Sequence, residues 1–445
     1  MDTSKKVLII AYYWPPSGGS GVQRWLKFVK YLPEFGWKPH VFTPENPSYP
    51  VIDASLEKDV PAEAVVIRFP IWEPYDAFRK LSSVFDGKKN TRPAGTSMVS
   101  AKRTSTFQGV STWIRANWMV PDPRVFWVKP SAIFLHDYIR KHNIRRVITT
   151  GPPHSVHLIG YELKLKNPDI VWIADFRDPW SEWGFLDSLG VGPRARSAHR
   201  KAEQKVLQQC DIILTITPFY QRQFAKLSGR SVRLLTNGFD DADFKNLKVL
   251  PTTKFVVRHV GTINEKCDPR PFMLALADLI RSDSDFRHDI HLDFVGDVHP
   301  QFKEFAMNLS DVNSVAEFTP PVPHAALIDL YATSSLLLLV LTGYKDAEGY
   351  MPGKLFEYIA TGLPILGIGP EQGDAAQLLN ESGAGKMVDG TQAENIKIAL
   401  KDAHRHWKDG DALAHRSSDE RYSRRGIASK LAALLSGTEG ETKHG

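Results

Sequence analysis

Short apolar runs recur along this chain, separated by stretches in which apolar positions fall at helical spacing. Val7 to Ala11, His40 to Thr43, Val65 to Phe69, Arg146 to Thr150, Val171 to Ala174 and Asp211 to Ile216 read as strands. Phe255 to Val260, His291 to Gly296, Val315 to Phe318, Leu336 to Leu341 and Ile365 to Ile368 repeat the pattern further on. Val22, Leu26, Val29 and Tyr31-Leu32 form the stripe of an amphipathic helix over Val22 to Leu32. Leu336 to Leu341 is the most apolar run; it is far too short to span a bilayer and reads as a buried parallel strand. Strands alternating with helices predict an α/β fold with parallel sheets. At 445 residues the chain is too long for one core, so two or three domains are expected.

One stretch carries the chemistry. Glu348-Gly-Tyr-Met-Pro-Gly-Lys-Leu-Phe-Glu-Tyr-Ile-Ala-Thr-Gly-Leu-Pro364 reads as loop, helix and tight turn. Pro352 suits a helix start, and Gly362 with Pro364 gives the stop. Lys354, Glu357 and Tyr358 fall at i, i+3, i+4 and share one face; Leu355, Phe356 and Ile359 take another. A helix start led by Gly353 offers free N–H groups and a positive dipole end to an anion. Lys354 adds charge, and Glu357 can accept hydrogen bonds from vicinal hydroxyls. Phosphate at the helix mouth and a diol one turn deeper describe a nucleotide. The bland alternative is a surface Lys–Glu pair.

Further features point the same way. Gly18-Gly-Ser-Gly21 lies between the first strand and its helix, where phosphates bind, although it matches no dinucleotide or P-loop fingerprint and a plain tight turn is as good a reading. Thr150-Gly-Pro-Pro-His154 and Asp175-Phe-Arg-Asp178 follow strands, at the sheet edge where α/β folds place ligands. Asp175, Arg177 and Asp178 are catalytic candidates or a structural ion pair; His154 is an acceptor ligand or a helix cap. Residues 82–127 interrupt the pattern with Lys88, Lys89, Arg92, Lys102 and Arg103, then Trp113 to Trp127. That insertion meets an anionic membrane surface, or is an excursion followed by a buried aromatic hairpin.

Composition narrows little. Hydrophobic content of 42% and charged content of 24% are ordinary, and a net charge of +6 allows an acidic partner without selecting one. Two cysteines, Cys210 and Cys267, indicate neither a disulfide framework nor a zinc site and fit a reducing cytoplasm. The apolar part of the N-terminus is too short for a signal peptide. No metal-ligand spacing occurs; Asp283-Ser-Asp285 reads as a solvated loop. The basic residues are not gathered on a nucleic-acid module.

Pro352-Gly-Lys-Leu-Phe-Glu-Tyr-Ile-Ala-Thr-Gly-Leu-Pro364 resembles the donor-binding segment of the retaining GT-B glycosyltransferases of family four, the group 1 glycosyl transferases. The resemblance covers most of the chain. It implies two Rossmann-like domains with parallel sheets facing a cleft: an acceptor-side domain over 1–240, a linker over 241–253, a nucleotide-sugar domain over 254–418, a final helix over 419–435 that crosses back, and a disordered tail over 436–445. It implies that Glu357 holds the donor ribose and that an earlier glutamate with seven residues intervening contacts the transferred sugar. Glu348 has eight intervening residues here. Gly18, Gly19 and Gly21 would approach the donor, as would Gly261, Lys266 and Arg270 in the loop after the Phe255 strand, where Cys267 stands in place of the family's arginine. Gly353, Lys354 and Leu355 belong to the same donor set. Arg177 replaces the family's histidine, so the acid–base role passes to a carboxylate, first Asp178. The activity implied is transfer of a sugar from a nucleotide-sugar donor to a saccharide or lipid-linked acceptor with retained configuration, without metal or cofactor, in the cytoplasm or on the inner face of the membrane. A GT-B nucleotide-sugar epimerase and a non-catalytic nucleotide-sugar-binding protein are the alternatives.

Overall fold

The structure, a computed structural model, describes residues 5–73, 113–182, 185–264, 267–341, 347–410 and 420–437. The basic residues Lys88, Lys89, Arg92, Lys102 and Arg103 lie outside the described residues, as do Lys266 and the tail from 438.

The chain forms two compact units, Met1–Thr236 with Ile427–Gly445, and Asn237–Gly426. The first holds seven strands: β1 (Lys5–Ala11), β2 (Trp37–Pro44), β3 (Val65–Phe69), β4 (Arg146–Gly151), β5 (Val171–Phe176), β6 (Ile212–Thr215) and β7 (Val232–Leu234). Their order is β3-β2-β1-β4-β5-β6-β7, and every pairing is parallel. The second holds six: β8 (Phe255–Val260), β9 (Ile290–Val295), β10 (Ala316–Thr319), β11 (Leu336–Val340), β12 (Ile365–Ile368) and β13 (Gly385–Val388). Their order is β10-β9-β8-β11-β12-β13, again all parallel.

The continuous apolar runs are explained by burial on both faces. In β11, Leu336, Leu338 and Val340 enter one apolar cluster, while Leu337 and Leu339 enter another. In β1, Leu8 and Ile10 face one layer and Val7 and Ile9 the opposite one. Each such side chain stabilises its unit by about 1.5–3 kcal/mol, so a polar residue anywhere in either strand would be costly. The helix Arg424–Ser436 places Ile427, Ala428, Leu431 and Leu435 in the cluster that holds Val7, Ile9, Trp25 and Leu26. Arg146 Nε donates to its Leu435 carbonyl at 2.7 Å.

Three local differences from the sequence expectations have clear causes. Asp283-Ser-Asp285 is a helix start and not a loop: the Asp283 side chain accepts from Phe286 N at 3.0 Å and caps Ser284–Asp289. The 241–253 segment contains a one-turn helix, Asp241–Phe244, capped by Asp240. The aromatic stretch is divided, since Trp113 and Trp118 are exposed while Trp127 is buried.

In both sheets the strand order reverses once, between β1 and β4 and between β8 and β11. In α/β folds ligands bind at the carboxyl edge of the sheet where the strand order reverses. Gly18 to Gly21 and Gly151 to His154 follow β1 and β4; the Gly261 loop follows β8, and the segment from Ala347 to Gly353 follows β11.

Candidate functional site

At the first unit's reversal point the glycine loop makes a close turn. Gly19 has φ 87°, in the left-handed region that favours glycine, and caps the helix Ser20–Tyr31. Gly18 N donates to Val51 O at 2.9 Å, and a Cβ at Gly18 would come within 2.9 Å of the Val51 side chain. Gly21 is less constrained, with only ordinary contact distances from 3.6 Å.

Arg177 ties this edge together. Its Nε donates to Gly151 O at 2.9 Å, Nη2 to Pro152 O at 2.9 Å and Nη1 to Gly21 O at 2.6 Å. One guanidinium thus joins the ends of β4 and β5 to the start of the Ser20–Tyr31 helix. It pairs with neither flanking aspartate, so the local Asp–Arg ion pair considered from sequence is not formed. Asp175 turns inward instead. It is fully buried and pairs with Arg24 at 3.2 Å. Trp25 Nε1 donates to it at 2.7 Å and Thr150 Oγ1 at 3.0 Å. Arg24 also donates to Leu235 O and Thr236 O. Asp175 is therefore engaged in holding the strand end.

Asp178 is different. It is partly exposed, and its carboxylate has no hydrogen bond or ion pair among the described residues. Burial of its surroundings pushes its pKa above the usual carboxylate range, Arg177 pulls it down, and Asp175 pushes it up. A carboxylate with no internal partner at the ligand edge is suited to proton transfer.

His154 occupies the N-cap position of the helix Ser155–Lys166, but its side chain makes no cap bond. Asp122 caps instead, accepting from Ser155 N at 2.9 Å and Ser155 Oγ at 2.8 Å. The His154 ring stacks on Trp180, with centroids 4.9 Å apart and planes 3° from parallel. Burial, reinforced by His157, His199 and Arg177, holds its pKa well below the ordinary histidine value, so the ring is neutral. His157 completes the layer: its Nδ1 lies 2.9 Å from Thr149 Oγ1, which itself accepts from Trp172 Nε1. A Cβ at Gly151 would come within 2.6 Å of His157 Nε2, so only glycine fits there.

In the second unit the helix Gly353–Thr361 runs from Pro352 as N-cap to Gly362, a left-handed C-cap at φ 72°. Lys354, Glu357 and Tyr358 share a face, and Lys354 and Tyr358 meet the end of β8. Tyr358 is fully buried, and its hydroxyl accepts from Val260 N at 2.8 Å. Tyr331 donates to Glu357 Oε2 at 3.2 Å, which orients the carboxylate. Lys354 Nζ rests above Gly261 (φ 139°), where a Cβ would stand 2.3 Å from it. Burial lowers the Lys354 pKa, while its neighbours Cys267 and Glu357 act in the opposite direction. The N–H groups of Gly353 and Lys354 open the helix without a partner among the described residues.

Other predicted residues are not gathered there. Leu355 is fully buried in the core, and its N–H is taken by Pro352 O at 3.0 Å. Arg270 is engaged by Asp268 at 2.8 Å and lies over the Phe305 ring. Cys267 is buried, donating its thiol to Val340 O at 3.1 Å. Glu348 is exposed in the short turn Ala347–Gly349. No group of three or more His, Cys, Asp or Glu side chains able to hold a metal occurs among the described residues. No helix among them is long and apolar enough to cross a membrane. Arg24, Trp25, Tyr331 and His259 were not singled out from sequence; each acts through a partner far away in the chain.

No protein-family model and no curated protein matches this sequence. Solved structures do. Trehalose-6-phosphate synthase OtsA is 10% identical, with a TM-score of 0.62 and coverage of 97% of this chain and 99% of its own. WaaG, a glycosyltransferase involved in lipopolysaccharide biosynthesis, is 16% identical, with a TM-score of 0.56 and coverage of 97% and 100%. The fold is that of the GT-B glycosyltransferases. A protein described as a UDP-N-acetylglucosamine 2-epimerase from Listeria monocytogenes shares this fold, at 13% identity, a TM-score of 0.54 and coverage of 98% and 97%. At such identities the likeness speaks for the fold.

Proposed function

We propose that this GT-B chain is a retaining glycosyltransferase of the family-four type, moving a sugar from a nucleotide-sugar donor to a saccharide or lipid-linked acceptor in surface polysaccharide or glycan biosynthesis. The observation that carries this is the Gly353–Thr361 helix at the reversal point of the second sheet. The N–H groups of Gly353 and Lys354, unpartnered among the described residues, and the Lys354 ammonium suit a diphosphate. Glu357, oriented by Tyr331, suits a ribose diol one turn further in. In this reading Gly261 allows close approach of the donor, and Lys266 and Glu348 are further donor contacts.

The acceptor hydroxyl would give its proton to Asp178 as its oxygen bonds to the anomeric carbon on the same face from which the nucleoside diphosphate leaves with the electron pair of the broken C–O bond, so that configuration is retained. Arg177 and Asp175 shape that edge without touching the reacting atoms. His154, neutral and stacked on Trp180, walls the acceptor side. The leaving group is stabilised by helix N–H groups and Lys354 without a metal. Peripheral docking on the inner face of a membrane through the 82–127 insertion belongs to the same reading; the exposed Trp113 and Trp118 support it.

A panel of nucleotide sugars, scored by thermal stabilisation, tests the donor site. A ligand at 100 times its Kd adds about 2.7 kcal/mol to stability. No stabilisation by any nucleotide sugar would overturn the reading. The matching epimerase fold keeps one rival in view: the stabilising donor, incubated without acceptor, would be converted to its epimer by an epimerase and left unchanged by a transferase. Anomeric proton couplings of the product report retention.

A further inference from the structure

His259 lies within β8, fully buried, two residues before Gly261. Phe255 and Val257 share its face of the strand and are apolar, so the core there does not call for an imidazole. A buried polar ring persists when it has partners. His259 Nδ1 is 2.9 Å from the Leu338 carbonyl. A carbonyl only accepts, so Nδ1 carries the proton and Nε2 presents a lone pair. That lone pair faces Lys354 Nζ at 3.5 Å. Burial and the neighbouring ammonium both disfavour protonation of the ring, so it stays an acceptor. Lys354 Nζ is therefore set between the imidazole and the bare Cα of Gly261.

We infer that His259 is a positioning residue for the donor diphosphate: its Nε2 draws one N–H of the Lys354 ammonium and turns the remaining N–H groups toward an anion at the start of the Gly353–Thr361 helix. The inference rests on the donor site proposed above. A lysine has a long flexible stem, and immobilising it on binding would cost affinity. A contact of 3.5 Å is long for a hydrogen bond. It steers the ammonium without neutralising it, leaving its charge for the ligand.

The test uses His259→Asn and His259→Gln. Asparagine keeps a donor near the place of Nδ1 and has nothing near Nε2; glutamine puts an amide oxygen near Nε2. Calorimetric titration with UDP, GDP and ADP, and with inorganic pyrophosphate, gives the affinities. H259N should weaken diphosphate binding about tenfold, and H259Q by no more than about threefold. In a Lys354→Ala background, H259N should change affinity by less than about twofold, because the two residues act as one unit. If H259N does not fold, His259→Phe, which keeps a packed ring and lacks the acceptor, should show the same loss. Wild-type affinity in the variant, or an equal loss with and without Lys354, overturns the inference. If Lys354→Ala itself binds as tightly as wild type, the donor site falls and the inference with it; if Lys354→Ala weakens binding and H259N does not, the inference alone falls.

Discussion

Asp175 and Asp178 stand three residues apart at one strand end, and their environments assign them opposite consequences on mutation. Asp175→Ala would leave the Arg24 guanidinium buried without its carboxylate and would free Trp25 Nε1 and Thr150 Oγ1. Removing one partner of a buried pair costs about 3–5 kcal/mol, because the other charge is left uncompensated. For a unit of this size, about 2–4 °C of melting temperature is lost per kcal/mol, so a fall of roughly 6–20 °C is expected. Replacing both partners, with Arg24→Met and Asp175→Leu, should recover most of that loss, since an apolar pair of similar volume removes the orphan charge. Asp178→Asn, by contrast, breaks no bond among the described residues. Its melting temperature should stay within the roughly 0.5 kcal/mol usual for such sites. Its transfer rate should fall by about 100-fold or more, as expected for a lost proton acceptor. The acid limb of the wild-type kcat/KM profile should lie above the ordinary aspartate value of about 3.9 and vanish in Asp178→Asn. Calorimetry and a radiolabelled transfer assay on the same preparations decide the matter. An Asp175→Ala protein that is stable but inactive, with an Asp178→Asn protein that is fully active, would refute the assignment.

Four other outcomes are expected. Lys354→Ala and Glu357→Ala should each weaken nucleotide-sugar binding by about 1.5–3 kcal/mol with the fold intact; unchanged calorimetric affinity in both would sink the donor site. Activity should persist in excess chelator, and a loss restored by magnesium or manganese would count against a metal-free reaction. Wild-type protein should float with anionic liposomes at low salt and sink at high salt, while a variant with Lys88, Lys89, Lys102 and Arg103 neutralised should stay down throughout. Burial raises the Asp289 pKa, but hydrogen bonds from His288, His404 and Lys408 outweigh it and hold the carboxyl well below its usual range. The stability this contributes is present above the unfolded value of about 3.9 and lost as pH falls through the folded one. Acid unfolding curves of wild type and Asp289→Asn should therefore differ at neutral pH and converge in strong acid.

Much of the fold is legible because both sheets bury their central strands twice over, which writes runs such as Leu336–Val340 directly into the sequence. The edge strands Val232–Leu234 and Gly385–Val388 escape notice: three or four residues, one opening on glycine, leave no period to detect. The Lys354, Glu357 and Tyr358 face is legible because helical spacing alone brings those side chains together. The aspartate–arginine cluster is not. Asp175 ignores the arginine two residues away and pairs with Arg24, 151 positions earlier. Likewise the cap of the Ser155 helix comes from Asp122, 33 positions upstream, and not from the adjacent His154. Local sequence supplies the candidates, and the tertiary neighbours decide which are spent on holding the edge and which are left for a ligand.

The helix Arg424–Ser436 has a consequence for biosynthesis. Residues of the first unit's apolar layer, Val7, Trp25 and Leu26 among them, meet Ile427, Leu431 and Leu435 only after the second unit has been made. The second unit contains no residue beyond Gly426. Domains tend to fold as they emerge from the ribosome, amino-terminal first. Here the amino-terminal unit emerges first yet is finished last: until those closing turns arrive it displays an open apolar seam, and a nascent or truncated chain ending before them is a natural client for chaperones.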